Sequence, residues 1–182
     1  MIEIINTSIS NKTNKQVIEY LTFSTQWMFA YDGKTGESEK KNLIDNISKE
    51  NGNNAGFMFK SYSVQHDYTA DAFLNNFALH VKDICTKQSK KKIGEIIRIY
   101  WNMYVPSSKM DYHLDMPKGN NCVSIIYNLH SNDGGTDFKN NKIIKSKEGQ
   151  AIVFNSDSLH KGISSKIIPV RYALNIVCKA ND

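Results

Sequence analysis

No stretch of this chain is apolar for long enough to cross a bilayer, so no membrane partner is expected. The N-terminus, MIEIINTSIS, lacks a basic segment followed by an apolar one, which argues against secretion. Cysteine is scarce: Cys85, Cys122 and Cys178 are odd in number and widely spaced. They form neither a disulfide framework nor a zinc pattern and read as reduced cytosolic thiols. There is no linker, low-complexity tract or internal repeat, and 182 residues suit one domain with one core, spanning 1–182. Hydrophobic residues make up 40% and charged residues 23%, the balance of an ordinary globular protein. The net charge of +5 favours acidic partners in general. Much of it lies in runs such as Ser89 to Lys92 and Lys139 to Lys147, which are more often solvated faces than binding sites, so nucleic acid is a minor reading. The wealth of Asn, Lys and Ile fits an AT-rich genome, bacterial or phage, and the expected location is the cytoplasm of such a cell or its infected host.

What is present divides into two halves. Residues 1–92 read as mixed, with helix dominant and in a supporting role. Lys15 to Ala30 carries Val17, Ile18, Leu21, Phe23, Trp27 and Met28 as a helical stripe. Gly33 and Gly36 mark a turn, and Gly56 to Val64 is aromatic enough for a strand. Thr69 is positioned to cap a helix bearing Phe73, Phe77, Val81 and Ile84. Residues 93–182 read as short strands and turns. Ile97, Ile99, Trp101, Met103 and Val105 should face the helices, while Arg98, Tyr100, Asn102 and Tyr104 face a polar cavity. Turns are expected at Pro106 to Lys109, Asp133-Gly134-Gly135, Asn140-Asn141 and Glu148-Gly149. Further strands are expected at Met110 to Asp115, Cys122 to Leu129, Thr136 to Lys139, Lys142 to Lys145, Ala151 to Phe154, Leu159 to Ser164 and Val170 to Cys178. Eight strands at this spacing suit a jelly roll, a mainly β fold of the double-stranded β-helix or cupin-like type, backed by N-terminal helices.

The chemistry centres on His113-Leu114-Asp115, a distant His160, and Arg171. Residues i and i+2 of a strand point the same way, so His113 and Asp115 can grip one ion. A third ligand from His160 completes a 2-His-1-carboxylate triad, which holds Fe(II) on one face and leaves positions open for a co-substrate and O₂. Arg171 offers a planar two-pronged donor for the carboxylate of a keto acid. In jelly-roll pairing the second strand lies beside the seventh and the first beside the eighth. That pairing brings His113 and Asp115 to His160, and Tyr104 to Arg171, at one barrel mouth. There the ligands should contribute little apolar burial, and their loss should cost only modest stability without metal.

Tyr104 nine residues before His113, the HLD motif, SIIYNL, DGGTDF, FNSDSLH and VRYALNIV together resemble the Fe(II)/2-oxoglutarate-dependent dioxygenases, in their prolyl-hydroxylase-like branch. The resemblance covers about half the chain and implies that His113, Asp115 and His160 bind iron and form the catalytic centre. It places Arg171 at the far carboxylate of 2-oxoglutarate, with Tyr104 lining the same pocket and Asn102, Asn128 and Asn175 as further co-substrate contacts. Asn128 stands where related hydroxylases often carry Tyr. The implied reaction uses O₂ to decarboxylate 2-oxoglutarate to succinate and hydroxylate a C–H bond, with ascorbate supportive. The substrate it implies is a peptidyl prolyl or other protein side chain, or a small molecule. Asp115 itself argues for hydroxylation, since halogenating relatives vacate the carboxylate position.

Other residues carry blander readings. His66, His80 and His130 read as surface or structural histidines, Cys122 as a small buried hydrophobe, and Trp27 and Trp101 as core. Arg98 reads as either a cavity residue or half of a structural ion pair. Two rival functions stand beside the oxygenase. One is a nucleobase demethylase, for which Asn102-x-Tyr104 speaks and Val177 speaks against, because that group usually has a second Arg there. The other is a non-catalytic metal- or sugar-binding jelly roll, against which the complete triad with Arg171 argues.

Overall fold

The structure is a computed structural model that describes residues 1–31, 55–64, 68–106, 108, 110–139 and 142–181. The expected turns at Gly33/Gly36 and Asn140-Asn141, and His66, lie outside the described residues, as do Ser107 and Lys109 of the expected Pro106 turn. In chain order the elements are β1 (Glu3–Asn6), α1 (Asn11–Phe23), β2 (Met28–Tyr31), β3 (Ala55–Ser63), β4 (Tyr68–Thr69), α2 (Ala72–Gln88), β5 (Ile93–Tyr104), β6 (Cys122–Asn128), β7 (Gly135–Phe138), β8 (Lys142–Lys145), β9 (Gln150–Asn155), β10 (His160–Ile163) and β11 (Arg171–Ala180). The larger sheet runs β1-β9-β6-β11-β5-β3-β2, with β4 on β3, and the smaller runs β10-β7-β8. All pairings are antiparallel. This is the expected jelly roll: Arg171 pairs directly with Tyr104 across β11 and β5, and His113 bridges His160.

Strand alternation separates two cores. On β6, β9 and β11, Val123, Ile125, Tyr127, Ala151, Val153, Tyr172, Leu174, Ile176 and Cys178 face the helices. They pack there with Val17 and Leu21 of α1 and Leu74, Phe77, Ala78, Val81 and Cys85 of α2. Each fully buried side chain of this set contributes about 1.5–3 kcal/mol. The opposite face carries Tyr104, Ile126, Ile152, Phe154 and Ala173, packed with Phe138 and Ile144 of the smaller sheet. With both faces buried, these strands read as continuous apolar runs broken only where a polar side chain turns inward. Those breaks, at Ser124, Asn128, Arg171 and Asn175, build the site.

The helices end for identifiable reasons. In α1 the Ser10 hydroxyl accepts from the Thr13 N–H, and in α2 Asp71 accepts from the Leu74 N–H at 2.8 Å. Asp71 is therefore the cap, not Thr69, which is held in β4 against Tyr62. Tyr20 of α1 donates to the same Asp71 at 2.7 Å and ties the helices together. The helix expected over Lys15 to Ala30 stops at Phe23. Trp27 leaves it, donates its indole N–H to the Leu21 carbonyl at 2.9 Å and stacks on Tyr172 with centroids 5.6 Å apart. Its apolar surface is half-buried against the core without helical backbone, so the spacing misled. Among the described residues the first half also supplies strands β1 to β4.

Candidate metal centre

The segment expected as a strand over Met110 to Asp115 forms only one bridge. The His113 N–H donates to the His160 carbonyl at 2.9 Å, and the His160 N–H returns to His113 at 3.1 Å. Two residues on, the Asp115 N–H bonds to Ser156 at 3.0 Å. Pairing with two successive partner segments, β10 and then the turn before it, breaks the ladder yet holds both side chains on the inner face. The ligand atoms of His113, Asp115 and His160 lie within 4.8 Å of one another, and the His160 Nε2 is 3.7 Å from Asp115 Oδ2.

Each ring is oriented from behind. The Nδ1 of His113 lies 3.1 Å from the Asp111 carbonyl, and the Nδ1 of His160 lies 2.9 Å from that of Ser158. An acceptor there assigns the proton to Nδ1 and frees Nε2 as a metal donor. Asp115 is held by three donors. Arg98 Nη2 and Asn175 Nδ2 each reach Oδ1 at 3.0 Å, and Ser124 reaches Oδ2 at 2.6 Å. Burial alone would raise the Asp115 carboxyl, but the neighbouring His160, Arg98 and His113 and the Ser124 hydrogen bond bring it down to about 2. Burial lowers His160, so its imidazole is held neutral against the pull of Asp115. The centre is therefore one anion and neutral imidazole, the protonation state a metal requires. The expectation that the ligands bury little is corrected for two of the three: Asp115 and His160 are 6% and 2% exposed, because they sit between the sheets, while His113 is half-buried.

Arg171 is 1% exposed. Its Nε donates to Ser146 at 3.1 Å, Nη2 to Asn128 Oδ1 at 3.2 Å and Nη1 to the Ile163 carbonyl at 3.4 Å. Its guanidinium lies 4.8 Å from the Tyr104 ring centroid. No carboxylate among the described residues pairs with it. A buried cation without a counter-ion is costly unless an anion arrives. Gly162 makes room here, for a Cβ on it would lie 2.6 Å from the Tyr104 ring. Gly134 and Gly135 serve the same corner: a Cβ on either would meet the backbone of Ile163 or Ile144.

The structure thus gathers His113, Asp115 and His160, and separately Tyr104, Asn128 and Arg171. Asn128 takes its place as a support for Arg171, and Asn175 as a support for Asp115. Asn102 is half-buried on β5, opposite Ala173, with no side-chain partner among the described residues. Ser124, Ser146 and Ser156 were not singled out by their sequence, since nothing distinguishes them from other serines before the strands are paired. Of its two readings Arg98 takes that of the structural ion pair, with Asp115 at 3.0 Å. It stands directly across the ladder from Val177. His130 is structural: it accepts from the Tyr172 N–H at 3.2 Å.

No protein-family model and no curated protein matches the chain. Solved structures do. The viral collagen prolyl hydroxylase of Paramecium bursaria Chlorella virus-1, in its 2-oxoglutarate complex, matches at TM-score 0.58 and 15% identity over 98% of this chain and 96% of that one. SnoN, an α-ketoglutarate-dependent non-haem epimerase of nogalamycin biosynthesis, matches at 0.65 and 6% identity, covering 98% and 78%. HygX of Streptomyces hygroscopicus, with nickel and 2-oxoglutarate bound, matches at 0.61 and 8% identity, covering 97% and 81%. The chain has the fold of the non-haem iron, 2-oxoglutarate-dependent oxygenases, with a His113–Asp115–His160 cluster between its two sheets.

Proposed function

We propose that this chain is an Fe(II)- and 2-oxoglutarate-dependent oxygenase that hydroxylates a C–H bond of a protein side chain, such as a peptidyl proline, or of a small molecule. The observation that carries the reading is the fully buried Arg171, without a counter-anion among the described residues, on the same inner face as a three-ligand cluster in which Asp115 and His160 are buried and His113 half-buried. One dianion with a keto acid at one end and a carboxylate at the other satisfies both. The donor set of two imidazoles and one carboxylate fits Fe(II). When bound, iron with 2-oxoglutarate and O₂ supplies the oxidising power and releases succinate and CO₂, with ascorbate keeping the metal ferrous.

The protein's own part is positioning. His113, His160 and Asp115 would hold the ion, and Arg98, Asn175 and Ser124 fix the carboxylate. Arg171 presents its remaining N–H bonds to the distal carboxylate, aimed by Asn128 and Ser146 and backed by Tyr104. Asn102 shares that inner face and is assigned to the co-substrate's flank. The burial of both layers excludes water, which strengthens each charge-assisted contact. The three free thiols, Cys85, Cys122 and Cys178, are in keeping with a reducing cytoplasm. Among the described residues no helix is long and apolar enough to cross a membrane.

The test is twofold. Mn²⁺-loaded protein under anaerobic conditions should bind 2-oxoglutarate in a calorimeter, and Fe(II) with ascorbate should support succinate release. A metal-loaded chain that fails to bind 2-oxoglutarate would sink the assignment.

A further inference from the structure

The larger sheet continues past β5 into β3 and β2, strands without a counterpart in the three-stranded sheet. On this extension two cations converge on one ring. Lys60 Nζ of β3 lies 5.5 Å from the Tyr100 ring centroid, and the Arg98 guanidinium lies 4.6 Å from the same centroid. Arg98 then reaches Asp115, so the row Lys60–Tyr100–Arg98 leads from the sheet extension to the candidate ligands. The Arg98 Nε is buried and has no partner. No carboxylate among the described residues pairs with Lys60.

The charges do not balance. Lys60, Arg98 and Arg171 set three positive charges against one anion paired with them among the described residues, Asp115. A divalent ion adds two positive charges, and the dianionic co-substrate removes two. An excess of two remains, beside a half-buried aromatic wall where screening is weak. Asp115 could neutralise Arg98 alone, but a bound cation would compete for the same carboxylate. A substrate of opposite charge would supply the remaining partner.

We propose that Lys60 and Arg98, meeting at Tyr100, receive a carboxylate of the primary substrate, from an acidic peptide residue or a small acid. This rests on the oxygenase reading of the centre. The substrate would then carry its carboxylate near the oxidised C–H bond.

The test uses the full chain loaded with Mn²⁺ and saturated with 2-oxoglutarate under anaerobic conditions. Three labelled versions of one short proline-containing peptide, flanked by Glu, Gln or Lys, are titrated by fluorescence anisotropy. The Glu peptide is expected to bind about tenfold more tightly than the Gln peptide, with the Lys peptide weakest. The preference should shrink as salt is raised from about 0.05 to about 0.5 M. Lys60→Glu should reverse the order and Lys60→Gln should flatten it. Free glutamate as competitor separates the sources: full displacement at comparable affinity assigns a small acid, and failure assigns the acidic peptide. Equal or absent binding of all three peptides, an order unchanged in Lys60→Glu, or tighter binding of a single-stranded oligonucleotide would each overturn the proposal. A 2-oxoglutarate titration of the same samples distinguishes the failures. If wild type binds no 2-oxoglutarate, the oxygenase reading falls. If it binds normally while the peptides are not discriminated, only the carboxylate pocket falls.

Discussion

Two arginines on the inner face meet opposite fates. Arg98 has an anion, Asp115, and Arg171 has only neutral oxygens. Arg171→Ala is therefore expected to weaken 2-oxoglutarate binding by about 2–5 kcal/mol while leaving Mn²⁺ affinity within a few-fold. Arg171→Lys should restore part of the loss, since it returns the charge without the fork. Calorimetry of both variants checks the order, and an unchanged affinity in Arg171→Ala would move the co-substrate elsewhere. Asp115→Ala should abolish metal binding and also strand Arg98 and Asn175, while Ser124 keeps its bond to Ser156 at 2.9 Å. A destabilisation of about 3–5 kcal/mol is expected in urea, well beyond that of His113→Ala. Equal losses for the two would mean that Arg98 finds solvent easily. The ligands themselves were legible because spacing i, i+2 and a jelly-roll register bring them together. Their supports were not: Ser124 and Asn175 meet Asp115 only after β6 and β11 are paired, a relation that no local pattern encodes.

At the level of single elements, close approach decides more than propensity. β10 passes Tyr104 so tightly that Gly162→Ala should displace the phenol from Arg171, costing about 1–3 kcal/mol of stability and weakening 2-oxoglutarate. Tyr104→Phe keeps the ring and should cost only about 1 kcal/mol in the same titration. If Gly162→Ala binds 2-oxoglutarate like wild type, Tyr104 does not position Arg171. On the other face, Tyr127 donates to the buried Asn14 of α1 at 2.7 Å. Tyr127→Phe leaves that oxygen short of a donor and should cost about 1–3 kcal/mol without changing metal affinity. The strands β5 to β11 could be read from alternation and turn residues. Strands β1 and β2 escaped because each is four residues long and is defined by a distant partner, β9 or β3. The overrun of α1 has the same root, for Trp27 is apolar at helical spacing but spends its surface on Tyr172.

For the molecule as a whole, stability should depend on metal and on pH. Mn²⁺ at a hundred times its dissociation constant should add about 2.7 kcal/mol, an increment that a chelator removes and that Asp115→Ala never shows. His130 is held neutral, first by burial and then by Arg171, down to about 4 against an ordinary 6.5. The unfolded chain takes up this proton first as the pH falls. Its contribution is present above about pH 6.5 and is lost on going down to about 4. Partial exposure limits it to about 1–2 kcal/mol. Urea midpoints at the two ends of that window should fall less for His130→Gln than for wild type. A wild-type slope in the variant would assign the effect to other groups.

The reciprocal hydrogen bonds between His113 and His160 have a consequence for exchange with solvent. The two residues whose side chains would share an ion also protect each other's amides. A bound ion would fasten the same pair a second time, through the rings. Deuterium uptake at these two amides should then slow together when metal is added, while amides of α1 keep their rate. Occupancy of the centre could thus be timed in the resting protein, with no substrate known and no turnover required.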